Sequence, residues 1–366
     1  MKVRINARKR KRMNNKNIFF RKKTRPVKVG PYILGDGQPI RVQSMAKVHT
    51  RDEQAVIDQA ARLEAAGCEI IRVACATEED IKALGKIRAK IRNPLVADIH
   101  FNYRFALEAI EQGVDKLRIN PGNIGNEERV AEVVEKAKKH RIPIRIGVNS
   151  GSLEKDLMQK FGPTPEALVE SARRHVAILE KHEFRDIVIS LKATDVPTMI
   201  GAYRLASEKF EYPLHLGVTE AGTLVRGSVY NAIGIGTLLQ EGIGDTIRVS
   251  LTADPVEEVK VAKMILESLE LRKGVRVISC PTCGRSEVDT AKLAREVEDR
   301  ASGLEGPLTI AVMGCVVNGP GEAKGADFAI TGGKGTGMIY VNGEQVKVAP
   351  ESELVDELFK EIRKRI

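Results

Sequence analysis

Five cysteines are the residues of this chain best suited to redox or metal chemistry, and three of them are spaced to act together. Cys280 and Cys283 flank Pro281-Thr282 as a CxxC, and thirty-one residues separate them from Cys315 in Gly314-Cys-Val-Val-Asn-Gly-Pro-Gly-Glu322. A CxxC followed by a third cysteine framed by tight-turn residues points to a metal centre. Zinc normally takes a fourth Cys or His, yet no histidine follows His215, and the nearest suitable donor is the carboxylate of Glu322. Three thiolates suit an iron–sulfur cluster, whose usual complement is four cysteines. The shortfall leaves one iron with an exchangeable or oxygen ligand, which is what a catalyst needs and a simple electron carrier does not. Zinc and a thioredoxin-type dithiol stay open on these residues alone; the dithiol explains Cys280 and Cys283 but leaves Cys315 idle. Cys68 and Cys75 lie far upstream and read as small buried hydrophobes. An odd cysteine count argues for ligands or buried thiols in a reducing compartment, not a disulfide framework.

A second group of chemical interest is cationic. Side chains two apart share one face of a strand, and on that basis polar pairs recur at strand C-terminal ends: Asp98 with His100, Arg118 with Asn120, Arg145 with Asn149 two steps on, Ser190 with Lys192, and Arg248 with Ser250. Arg72 and Glu220 mark two further strand ends. A single buried Arg is as readily a structural ion pair. Five strands delivering Arg or Lys at corresponding heights predict a ligand with several negative charges, phosphate or carboxylate. The turn Asn120-Pro-Gly-Asn-Ile-Gly125 is expected to add backbone N–H donors. His100 reads as a proton donor or substrate contact, His215 equally as a core residue, and Glu220 as a general acid or as charge balance among the arginines.

The elements that must position these groups repeat eight times from about residue 39, each a β-branched run followed by an amphipathic helical stretch. The strands are expected at Ile40–Met45, Glu69–Cys75, Leu95–Phe101, Lys116–Asn120, Pro143–Asn149, Asp186–Lys192, Leu214–Thr219 and Asp245–Leu251. Helices such as Asp52–Ala66, Thr164–Lys181 and Pro255–Leu271 lie between them. Alternating units demand parallel strands, and eight over some 230 residues fit a closed barrel. No GxGxxG follows the first strand, which weighs against a dinucleotide fold. The fold class expected is α/β: a (β/α)8 TIM barrel over 27–272 and a C-terminal α+β domain that carries the three spaced cysteines over 273–366, with the boundary near Leu271–Gly274.

Length and composition agree. The chain's 366 residues exceed one average domain, and 42% apolar with 30% charged residues is ordinary for a globular protein. Residues 1–28 hold thirteen Lys and Arg and no acid; without those thirteen charges the formal balance of +10 falls to −3. Arg8-Lys9-Arg10-Lys11-Arg12 could serve as a phosphate-binding arm, but the expectation is a solvated, disordered leader over 1–26. With aromatics at 4% there is no basic face interleaved with aromatics, so nucleic-acid binding is not expected. No long apolar run spans a membrane and no apolar core follows the basic N-terminus, so a cytoplasmic protein is expected.

Ordered blocks then carry a resemblance. Val42-Gln-Ser-Met45, Ala97-Asp-Ile-His-Phe101, Leu117-Arg-Ile-Asn-Pro-Gly-Asn123, Arg145-Ile-Gly-Val-Asn149, Gly217-Val-Thr-Glu-Ala-Gly222, Arg248-Val-Ser-Leu-Thr252, Ser279-Cys-Pro-Thr-Cys-Gly284 and the Met313–Glu322 block follow one another. From about Val27 to the C-terminus the chain resembles the IspG/GcpE family of 4-hydroxy-3-methylbut-2-en-1-yl diphosphate synthases in its bacterial two-domain form. The resemblance implies reductive ring opening of 2-C-methyl-D-erythritol 2,4-cyclodiphosphate to 4-hydroxy-3-methylbut-2-enyl diphosphate in the methylerythritol phosphate route to isoprenoids. Electrons would come from reduced flavodoxin or ferredoxin through a [4Fe-4S] cluster. It implies Cys280, Cys283, Cys315 and a labile Glu322 as cluster ligands. Arg72, Arg118, Asn120, Arg145, Asn149, Ser190, Lys192, Arg248 and Ser250 would form the substrate site. Glu220 would be the acid–base group, with Asp98 and His100 near the reacting carbons. The implied assembly is a homodimer in which one subunit's cluster domain caps the other's barrel. One departure stands out: Ala46-Lys47-Val48-His49-Thr50 replaces the family's usual Thr-Asn-Thr run, so Lys47 or His49 is a candidate for a substitute contact.

Overall fold

The structure is a computed structural model that describes residues 21–304, 306–317 and 319–366. It divides into two compact units after Leu269, a few residues ahead of the expected Leu271–Gly274 boundary. The expected leader lies outside the described residues as far as residue 20. Its last residues are held against the barrel: the Arg21 guanidinium donates to the Gly244 carbonyl (3.0 Å) and to Asp245 (3.1 Å), and the Arg25 amide donates to Glu211 O.

The first unit opens with a hairpin, β1 (Val27–Val29) and β2 (Tyr32–Leu34), followed by eight parallel strands: β3 (Arg41–Met45), β4 (Ile70–Ala74), β5 (Leu95–Asp98), β6 (Lys116–Arg118), β7 (Ile144–Asn149), β8 (Ile187–Lys192), β9 (His215–Leu216) and β10 (Thr246–Ile247). Each strand pairs with its successor, β10 pairs back onto β3, and an isolated parallel bridge between Ile189 and Leu214 joins β8 to the start of β9. This is the (β/α)8 TIM barrel that the alternating pattern requires. Several strands stop short of their expected ends. Ladder-type bonds nonetheless continue past them, from Ile99 N to Arg118 O (2.9 Å), Thr219 N to Ala193 O (3.1 Å) and Arg248 N to Leu216 O (2.9 Å).

Caps start the helices where the sequence allows. Asp52 accepts from Ala55 N ahead of Glu53–Ala65, Thr164 caps Pro165–Lys181, and Asp254 caps Pro255–Ser268, the last two with Pro in the first turn. The eight-unit reading omits both the hairpin and the short helix Lys155–Phe161. Three-residue strands are too short to show a period of two. The hairpin plugs the barrel floor: Val27, Val29 and Leu34 pack on Ile70, Val96 and Val188, all fully buried. Each such side chain contributes about 1.5–3 kcal/mol of transfer free energy, which helps offset the cost of burying charge higher in the same barrel.

The second unit is a five-stranded sheet in the order β11 (Val275–Ser279), β12 (Leu308–Met313), β13 (Phe328–Gly333), β14 (Thr336–Val341), β15 (Glu344–Pro350). The first three strands are parallel and the last two antiparallel. Alternation along Leu308–Met313 sends Ile310 and Val312 to one face, where helices Thr290–Ala301 and Leu354–Arg363 bury Leu293, Val297, Leu358 and Ile362. The opposite face is paved with small side chains, Ala311, Ala329, Ala323 and Ala326, and Cys280 packs against it. Among the described residues, no helix is long and apolar enough to cross a membrane.

Candidate functional site: a cationic barrel mouth and a cysteine-bearing strand edge

Most TIM barrels fill their interior with branched apolar side chains; this one places guanidinium and ammonium groups there. A cavity is lined by Arg72, Arg118, Arg145, Asn149, Ser190, Lys192, Arg248 and Ser250, together with Gly147 and Thr219. Eight of the nine expected substrate-site residues therefore meet at one place. The ninth, Asn120, supports the wall: its amide donates to Gly147 O (3.0 Å) and accepts from Gly147 N (2.9 Å). Gly147 also accepts from Arg118 (2.7 Å), and a Cβ at this position would lie 2.4 Å from the Arg118 Nε. Only glycine leaves room for that guanidinium. At Gly217 a Cβ would lie 2.4 Å from Arg248 O and 2.8 Å from the Lys192 ammonium.

Two buried carboxylates balance part of this charge. Asp98 pairs with Arg72 and with Arg118 (3.2 Å), and the half-exposed His100 ring sits 3.4 Å from it. Burial alone would push the Asp98 carboxyl up; Arg72, His100 and Arg118 outweigh it and hold the group well below the carboxylate range. Asp98 does not line the cavity. Glu258, 1% exposed, pairs with Lys47 (3.0 Å) and Arg248 (3.6 Å) and accepts from Ser44 Oγ and Leu251 N, both 3.1 Å. Lys47 also donates to Leu251 O (2.7 Å). The departure from the family run thus brings in a cation that anchors the carboxylate behind Arg248. Lys47, Glu220, Arg248, Ser250 and Glu258 line a second, shallower cavity, and Glu220 stands exposed with φ +53°, left-handed backbone that a glutamate rarely adopts.

Asp98→Asn is expected to cost about 3–5 kcal/mol of stability at neutral pH, because two buried guanidiniums lose the carboxylate they share. A folded-state pKa below the unfolded one means this stability is present above the unfolded value and lost as pH falls through the folded one. Denaturant titrations should therefore show wild type and variant converging only below about pH 4.

Some expectations are corrected. Three N–H groups of the Asn120–Gly125 turn are engaged within the protein: Gly122 donates to His175 Nδ1 (3.2 Å), Asn123 to Asn120 O and Ile124 to Pro121 O. His215 is fully buried, with both ring nitrogens unpartnered among the described residues, inside the barrel and not at its mouth. Burial pushes the Cys68 thiol up to about 12 and the Cys75 thiol higher still, in keeping with both as buried hydrophobes. Thr219 went unnoticed, although it stands two residues after Gly217 and shares its face. Glu258 gave no signal, since nothing in a helix pattern distinguishes a carboxylate turned inward to an arginine.

In the second unit, Cys280 directly follows β11 and Cys315 stands two residues beyond β12, so adjacent parallel strands bring both to one sheet edge. The Cys280 amide donates to Val312 O (3.0 Å). The loop bearing Cys283 is tied to the residue before Cys315 through Glu287 N to Gly314 O (2.9 Å). Glu322 lies on the short helix Gly319–Ala323 that follows, and its neighbour Ala323 packs in the same cluster as Cys280. Cys283 and Glu322 are exposed, Cys315 is buried, and Thr282 takes φ +60°, an outlier for a β-branched residue. Among the described residues no three His, Cys, Asp or Glu side chains stand at metal-ligand spacing. The donor set and its placement at one strand edge nonetheless fit a three-thiolate cluster with an oxygen fourth ligand.

A TIM barrel whose mouth gathers four arginines and a lysine, joined to a cysteine-bearing α+β unit, defines the class of protein. Residues 24–263 match the GcpE TIM-barrel domain and residues 276–364 the GcpE protein C-terminal domain, and the chain belongs to the GcpE family. It is 57% identical over 351 residues to 4-hydroxy-3-methylbut-2-en-1-yl diphosphate synthase (flavodoxin) of Caldanaerobacter subterraneus subsp. tengcongensis, covering 95% of this chain and 99% of that one. The protein of the same name from Thermodesulfovibrio yellowstonii is 57% identical, covering 95% and 100%, and that from Clostridium tetani 56%, covering 94% and 99%.

Proposed function

We propose that this chain is a cytoplasmic oxidoreductase of isoprenoid biosynthesis. It opens the ring of 2-C-methyl-D-erythritol 2,4-cyclodiphosphate and removes one hydroxyl as water, giving 4-hydroxy-3-methylbut-2-enyl diphosphate with two electrons from reduced flavodoxin. The observation that carries this reading is the single cavity into which five strands deliver Arg72, Arg118, Arg145, Lys192 and Arg248. A cyclic diphosphate offers two phosphates on a compact ring, and guanidinium groups match their oxygens in charge and geometry. Asp98 orients Arg72 and Arg118 from behind, Glu258 orients Arg248, and Asn120 fixes the wall at Gly147. Ser190, Ser250 and Asn149 supply neutral hydrogen bonds at the same rim.

In this reading Glu220, which lines a cavity with Arg248 and Ser250, holds the proton that leaves with the hydroxyl as water, and His100, beside the Arg72–Asp98–Arg118 cluster, lies near the reacting carbons. Cys280, Cys283, Cys315 and Glu322 would hold a [4Fe-4S] cluster, which when bound supplies the electrons one at a time. Neither unit carries both the anion site and the thiolates, so the proposal includes a homodimer in which the cluster unit of one chain closes over the barrel of its partner. An exposed apolar stripe on helix Leu224–Gln240, formed by Val225, Val229, Tyr230 and Ile233, supports a protein interface. A monomer in sedimentation would remove that part of the proposal.

Protein purified without oxygen is expected to contain iron and inorganic sulfide, to absorb near about 400 nm, and to turn over the cyclodiphosphate with reduced flavodoxin. Colourless protein carrying stoichiometric zinc and no turnover would overturn the reading.

A further inference from the structure

Beneath the anion cavity, the barrel holds a second polar layer that the proposed chemistry does not use. Lys116 is fully buried and its ammonium has no hydrogen-bond partner among the described residues. The same holds for both ring nitrogens of His215, both amide atoms of Gln43, and Nε and Nη2 of Arg145. Lys116 and Arg118 are two apart on β6 and share the inner face, so Lys116 lies one layer below the cavity that Arg118 lines.

The groups that bear on Lys116 are almost all cationic. Arg145 on β7 and Arg72 on β4 repel it directly, and Lys192 on β8 joins them around His215 on β9. Of the two buried carboxylates nearby, Asp98 on β5 is already paired with Arg72 and Arg118, and Glu258, from the helix after β10, with Arg248 and Lys47. From β3 comes the neutral Gln43, and from the floor only Val27, Val29 and Leu34. A stack of buried like charges relaxes by losing a proton, and arginine does not give one up. Lysine is the member that yields: burial first, then Arg145 and Arg72, push the Lys116 ammonium well below its usual range.

We propose that Lys116 is the charge-sensing residue of the diphosphate site, neutral in the free barrel and protonated when a dianion seats on the guanidinium layer above it. This rests on the cavity being the cyclodiphosphate site. It makes the second layer a specificity device, since a ligand of lower charge leaves Lys116 neutral and forgoes its attraction. Binding and proton uptake are then one linked equilibrium, and in the window of uptake Kd rises about tenfold per pH unit.

The cyclodiphosphate suits the test because each phosphorus carries one strongly acidic hydroxyl, ionised throughout the working range, so any uptake belongs to the protein. Titration calorimetry of the oxidised holoenzyme, without flavodoxin and in buffers of different ionisation enthalpy, counts protons between about pH 7 and 9. The wild type is expected to take up protons on binding. Lys116→Met should lose about one of them, bind more weakly at the low end of this range and approach wild type at the high end. Lys192, whose ammonium burial and then Arg248, Arg145 and Arg72 push down in the same way, keeps its own share in that variant. Lys116→Gln serves as a second replacement should the first fail to fold. Binding without uptake in the wild type, or undiminished uptake in both variants, overturns the role of Lys116. Failure of the wild type to bind the cyclodiphosphate at all overturns the site reading beneath it.

Discussion

Cys283→Ser is expected to abolish iron and sulfide retention and turnover while the far-ultraviolet dichroism of the chain stays that of wild type. The separation follows from where the thiol sits. Cys283 is exposed on the loop after β11, so exchanging sulfur for oxygen removes no packed atom from the second unit's core of Leu293, Val297, Ile310 and Leu358. The same exchange replaces a soft thiolate by a hydroxyl that stays protonated at neutral pH and is a poor ligand for iron–sulfur iron. The loss should far exceed the roughly 10–100-fold that changes to supporting residues around a metal cause. Iron and sulfide assays read the ligand role apart from activity. A variant that keeps its cluster and turns over at the wild-type rate would remove Cys283 from the ligand set.

The barrel and most of its site are legible in the sequence for one reason. Strand alternation tells which side chains share a face, and the C-terminal end of a barrel strand is where that face meets substrate. Arg118, Arg145, Lys192 and Arg248 follow from that rule, and they line one cavity. Alternation gives the face but not the depth. Lys116 stands two residues before Arg118 and obeys the same rule, yet it lies below the mouth, where a sequence reader expects an apolar layer. Partners brought in from other elements were not legible. Glu258 reaches Arg248 and Lys47 from the helix after β10, and His175 takes the Gly122 N–H from the helix after β7. Neither contact has a local signature, because both depend on how far a helix stands from the wall it covers. The hairpin that closes the floor was missed because six residues of strand cannot display a period.

Arg145→Met is expected to weaken cyclodiphosphate binding by about 2–5 kcal/mol, the scale for stripping one member from a buried charge pair, or roughly 30-fold to several thousand-fold in Kd. The same change should leave the ligand-free protein as stable as wild type, or more so. Arg145 is 1% exposed, its Nε and Nη2 have no partner among the described residues, and burial, then Arg72 and Arg118, all work against its charge. The free barrel therefore carries a desolvated cation that Asp98 and Tyr203 offset only in part, and replacing it by an unbranched apolar side chain of similar length removes that cost without a large void. Affinity and stability should move in opposite directions, the signature of a residue retained for binding at the expense of the fold. Calorimetric Kd and denaturant midpoints measured on one preparation decide it. A wild-type Kd, or a stability loss as large as that of Asp98→Asn, would make Arg145 a structural member of the barrel and leave the anion site to Arg72, Arg118, Lys192 and Arg248.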